Sequence, residues 1–186
     1  MRNAVSVLLA CALAPVLTAA DAARPSPPFS ILGPGAAPLE LSQFRGKVVV
    51  LAFIDTHCPH CQKLTNLLNE LSPKYALRGV QVLECAFNDD AKDSVAEFKT
   101  QFHPTFPVGY SNRAAVMAYL QISILDPHPL YVPHMVFLDR RGMIRADIAG
   151  ESDFMKQPEV NIPAELEKLL RPAAASRTAE HRQHRP

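Results

Sequence analysis

Cysteine is scarce in this chain, four in 186 residues, and C-x-x-C occurs once, at Cys58-Pro59-His60-Cys61. A structural zinc site needs two more Cys or His ligands at suitable spacing, and no second C-x-x-C supplies them. A disulfide framework is a poor fit as well. If Cys11 leaves with a leader, the odd set Cys58, Cys61 and Cys85 remains. A loop closed over four residues also removes little entropy from the unfolded chain. Clustered cations are missing from the body, where residues 21–170 hold fourteen Lys and Arg against seventeen Asp and Glu. That balance argues against nucleic acid, whose phosphates call for a concentrated basic face. No internal repeat is present, which excludes a repeat architecture.

Long apolar runs are lacking too. The run Ala4–Leu17 falls short of the ~20 residues of a membrane span and has no stop-transfer flank. With Arg2 ahead of it and small residues behind, it has the layout of a secretory signal peptide. Residues 1–20 are expected to be that leader, with cleavage after Ala20, Ala22 or Ala23. "LLAC" at 8–11 offers a second reading, a lipoprotein box that leaves Cys11 acylated and the protein anchored to a membrane. Either reading exports the domain, to the periplasm.

What is present suits one well-buried domain: 48% of the residues are hydrophobic. Residues 21–38, dense in proline and glycine, read as an extended lead-in with turns. The domain itself is expected over 39–170. Residues 171–186, with four arginines and one glutamate, read as a disordered basic tail. Val48–Ile54 is continuously apolar, as in a central strand covered on both faces. After Cys58, Leu64, Leu67, Leu68, Leu71 and Tyr75 recur at helical spacing. Pro59 fits the first turn of that helix and Pro73 should kink or end it. Strands are expected at 79–87, 106–110 and from His134, the last continuing into a hairpin partner from Met143. Helices are expected at 90–102, 112–122 and 163–170. This is a βαβ unit followed by a ββα unit, an α/β fold.

Strand, then C-x-x-C, then helix is the order that redox chemistry wants. Free backbone N–H groups and the positive dipole end at a helix start favour a thiolate. Cys58 is then the nucleophile, and Cys61, one turn inside, resolves the mixed disulfide. His60 between them, and His57 before them, can add positive charge or a hydrogen bond. A redox-active Cys58–Cys61 disulfide is therefore the leading reading, ahead of a metal site and an inert staple. Cys85, in an apolar strand, reads as a core thiol.

Residues 29–170 resemble the thioredoxin-like superfamily, in its TlpA/ResA branch related to redoxins and peroxiredoxins of the AhpC/TSA kind. The resemblance lies in "FSIL", "LSQFRGKVVVLAF", "CPHC", "FPV" and "VPHMVFLDRRGMI". It implies a thioredoxin-like fold: a central mixed β-sheet flanked by helices, here with an N-terminal extension. It also implies thiol–disulfide oxidoreductase activity, with Pro133 as the cis-proline beside the disulfide and His134 close by. Protein thiols and disulfides would be the partners, among them apocytochrome c and a membrane thiol reductase, in cytochrome c maturation or periplasmic redox homeostasis. A monomer with no cofactor and no metal is expected. "CPHC" is similar to the stretch in DsbA-type oxidants. Two departures stand out. His57 occupies the family's tryptophan position, in a chain without tryptophan, and Ala52 occupies the position of its buried acid. Glu84 or Asp89 would have to substitute for that acid.

Two alternatives come from other classes. "FPV" and the segment before the motif are similar to a peroxiredoxin-like thiol peroxidase with antioxidant activity. That family's spacing of threonine, proline and a single attacking cysteine differs from "DTHCPHC". "THCPHC" is similar to the Sco-type copper motif, in which two thiolates and a distant histidine hold the metal. Here the spacing is one residue short and His134 is not at the family's histidine position.

Overall fold

In a computed structural model, residues 23–33, 36–123, 125 and 130–171 are described. The expected leader with Cys11, His128 and the tail from 172 lie outside the described residues. One eight-stranded sheet has the order β1-β8-β7-β4-β5-β6-β2-β3. Its centre is β4 (Val48–Ile54), with all seven residues buried, parallel to β5 (Val80–Ala86) and antiparallel to β7 (His134–Leu138). β6 (Val108–Tyr110) runs parallel to β5, and β8 (Met143–Ile148) completes a hairpin with β7.

The expected lead-in is extended, and it is also paired. β1 (Arg24–Pro25) lies on β8, and β2 (Ser30–Gly33) joins β6 while turning back into β3 (Ala36–Glu40). Gly109 permits the β2–β6 approach: a Cβ there would lie 2.3 Å from the Leu32 carbonyl oxygen.

Strand alternation sends β4 side chains to two cores. Val48, Val50, Ala52 and Ile54 meet α1 (Pro59–Ala76), α2 (Ala91–Phe102) and α4 (Pro158–Leu170) on one face. Val49, Leu51 and Phe53 meet α3 (Arg113–Leu120) and Phe29 on the other. Pro73 does not end α1, which runs three residues further to Ala76. It costs one late hydrogen bond, while Tyr75 beyond it is buried and packs under Arg78. α4 starts at Pro158 rather than at 163: Pro158 takes the first helical turn and Pro163 sits inside the helix. Two prolines five residues apart masked that beginning.

Candidate functional site

The end of β4 delivers the chain into the C-x-x-C. Cys58 is the N-cap of α1, with extended backbone at φ −78°, ψ 119°, and Pro59 follows in the first turn. The Cys58 N–H donates to the Asp55 carbonyl at 3.1 Å, and the Gln62 side chain donates to the Thr56 carbonyl at 3.0 Å. Both cysteines, like Cys85, are free thiols. They are unequal: Cys58 is half-buried, whereas Cys61 is fully buried and faces the α1 core. Burial pushes the Cys61 thiol far above its ordinary value, against a single stabilising contact, the Asp55 N–H donating to Sγ at 3.5 Å. The proximity of Cys58 adds to the rise. One sulfur is offered to a partner and one is held back.

Pro133 closes the opposite side. The Val132–Pro133 peptide is cis, and Pro133 is buried. Gly150 lies against this segment so closely that a Cβ would come within 3.0 Å of the Pro133 oxygen. Between α1 and this segment opens a cavity of about 630 Å³, lined by His60, Leu64, Leu67, Val132, Pro133 and Met155 among others. His134 does not join the pair. Met135 and Phe137 share the α1 face, so alternation turns His134 to the other face with Val136 and Leu138. There its Nε2 lies 2.6 Å from Asp147, whose second oxygen accepts from Arg24 at 2.7 Å. Cys85 points to that far face as well.

The two candidate acids separate cleanly. Asp89 is exposed. Glu84 is completely buried on β5, paired in register with Ala52, and turned towards α1. The Thr65 hydroxyl reaches both carboxylate oxygens, at 2.9 and 3.1 Å, and also the Cys61 carbonyl at 3.1 Å. Burial pushes Glu84 up to about 8, with the Thr65 bond opposing the rise. The buried acid missing from β4 at Ala52 is thus supplied one strand over. Thr65, four residues after Cys61, was legible only as a hydroxyl interrupting an apolar stripe.

The other expected helpers are solvent-exposed. Pro59 and His60 lie at the surface, His60 lining the cavity that faces Pro133, and the His60 ring makes no hydrogen bond among the described residues. His57 is exposed too, its Nε2 bound 2.8 Å from Asp90. Among the described residues no group of three or more His, Cys, Asp and Glu side chains is arranged to hold a metal. Likewise, no described helix is long and apolar enough to cross a membrane.

A mixed sheet with a cis-proline facing a C-x-x-C at a helix start defines a thioredoxin-like dithiol protein. The fold is shared with a thiol:disulfide interchange protein of the thioredoxin family from Chlorobium tepidum TLS, at a TM-score of 0.65 and 19% identity, covering 80% of this chain and 97% of that one. The chain belongs to the Redoxin family, whose model matches residues 20–161. Among curated relatives, the thiol-disulfide oxidoreductase ResA of Bacillus thuringiensis subsp. konkukian (strain 97-27) is 29% identical over 129 residues, 69% of each chain. ResA of Geobacillus kaustophilus (strain HTA426) is 31% identical over 110 residues, 59% of each. These are the affinities expected of a TlpA/ResA-type member of the thioredoxin-like superfamily.

Proposed function

We propose that this protein is an exported thiol–disulfide oxidoreductase that exchanges the Cys58–Cys61 pair with protein thiols and disulfides. The observation that carries the reading is the asymmetry of the pair, an accessible Cys58 at the α1 start and a buried Cys61 behind it. In the reducing direction, the Cys58 thiolate attacks a substrate disulfide; a mixed disulfide forms and one substrate thiolate leaves. Cys61 then gives up its proton, and its thiolate attacks Cys58 Sγ. The second substrate thiolate departs, leaving a Cys58–Cys61 disulfide, and the two electrons have passed to the substrate. The reverse sequence oxidises a dithiol.

Cys61 needs a proton acceptor where water is excluded. Glu84 is our assignment, in its ionised form, with the Thr65 hydroxyl aligning it. Export rests on the signal-like N-terminus. The family resemblance also motivates the proposal of a monomer working in the periplasm on apocytochrome c cysteines and recharged by a membrane thiol reductase.

Trapping tests the roles. Cys61→Ser should accumulate mixed disulfides with substrate proteins, because Cys58 attacks but nothing resolves. Cys58→Ser should accumulate few. Reversed trapping, or wild-type exchange in both variants, refutes the assignment.

A further inference from the structure

The three residues that lead from β4 to Cys58 belong to no helix or strand, yet each is fastened. Thr56 is buried; its N–H donates to Asn88 Oδ1 at 3.1 Å, and its hydroxyl lies 2.9 Å from both Asn88 Nδ2 and Ser94 Oγ. The His57 N–H donates to Asp55 Oδ1 at 2.8 Å. Its ring Nε2 lies 2.8 Å from Asp90 Oδ2, while the other oxygen of that carboxylate accepts from Asn88 Nδ2 at 2.8 Å. Asp90 is the N-cap residue of α2. The loop before the attacking sulfur is therefore strapped to the start of a second helix. The two Asp90 oxygens divide the work, since Asn88 orients one and the other holds the imidazole.

We propose that Asp90 is a positioning residue for the exchange reaction, holding the ring of His57, the residue next to Cys58 in the chain, so that protonation of this pair modulates the pH dependence of Cys58 alkylation. The proposal rests on Cys58 being the attacking thiol. While His57 is protonated the pair is neutral; once it loses its proton, the bare Asp90 carboxylate remains against the residue that precedes Cys58. A tryptophan at 57, the residue expected from the family likeness, would leave Asp90 an anion throughout. Only histidine makes the local charge change with pH. The Asp90 bond raises the His57 pKa, and Asp55 and Glu97, the other charged groups facing the ring, act in the same direction. Asn88 first, then His57, hold Asp90 below the usual carboxylate range.

The test follows His57 by its imidazole NMR titration and Cys58 by its alkylation rate across pH in the reduced full-length protein. In the wild type the alkylation profile should carry an inflection at the His57 midpoint, above the ordinary imidazole value. Asp90→Asn, which still accepts a hydrogen bond, should move both downward together. His57→Trp should abolish the inflection and make Asp90→Asn without pH-dependent effect. The proposal is overturned if Asp90→Asn leaves the His57 midpoint in place, or moves it without moving the alkylation inflection. Should Asp90→Asn fail to fold, His57→Gln decides: an inflection that survives it refutes the role. Alkylation needs no protein substrate, so a chain that shows these linked shifts but exchanges no disulfides overturns the function and leaves this inference standing.

Discussion

Replacing Glu84 with glutamine removes a proton that the fold holds tightly. The folded carboxyl titrates at about 8 against an ordinary glutamate value of 4.5. Between those values the folded state binds more protons than the unfolded one, so stability falls as pH rises and levels off above about 8. At about 1.36 kcal/mol per unit the full displacement corresponds to roughly 4–5 kcal/mol. Water penetration and relaxation around a buried charge reduce this, to on the order of 2–4 kcal/mol. Glu84→Gln keeps the acceptor for Thr65 and lacks the titration, although its amide N–H groups go unpaired in an apolar core. It should therefore be less stable than the wild type near pH 5, by about 1–3 kcal/mol for unpaired buried donors. It should gain on the wild type steadily towards pH 8. Urea unfolding of both reduced proteins from pH 5 to 8 measures the difference, and groups common to the two cancel. A constant difference across that range would overturn this account, because it would mean Glu84 has the same proton affinity in the folded and unfolded chains.

Two further outcomes are expected. Gly109→Ala should cost about 1–3 kcal/mol in the same unfolding assay, the range for overpacking, since its Cβ would meet backbone on β2; unchanged stability would mean that β2 does not lie on β6. His60→Ala should shift the reduction potential by less than about 30 mV, under tenfold in the equilibrium constant, because the exposed ring bonds to nothing described; a larger shift in a glutathione titration would place His60 against the Cys58 thiolate.

The strands and helices that carry the pair were legible because their signals are local. Val48–Ile54 is apolar without a break, and the leucine stripe of α1 keeps helical spacing through Tyr75. Cys58, Cys61 and Pro133 came from a motif and a family likeness. What escaped was set by register. Whether Glu84 or Asp89 stands behind Cys61 depends on β5 pairing with β4 so that Glu84 lies opposite Ala52. Whether His134 meets the pair depends on which way β7 alternates after Pro133. Asn88 and Asp90 carried no sign of their partners, because Thr56 and His57 lie more than thirty residues away. The lead-in paired because Ile31 and Phe29 bury against the far face, a gain that a proline- and glycine-rich composition concealed.

The alternation of β4 and β7 has a chemical consequence. A single backbone layer divides the interior into two compartments that hold different kinds of charge. Cys61, Glu84 and Thr65 lie in one, buried together on the α1 side. On the other face, Arg24 and His134 both bond to Asp147, which is open to solvent. The buried Glu84 carboxyl and the ion pairs that hold the N-terminal strand are thus kept on opposite faces of one sheet.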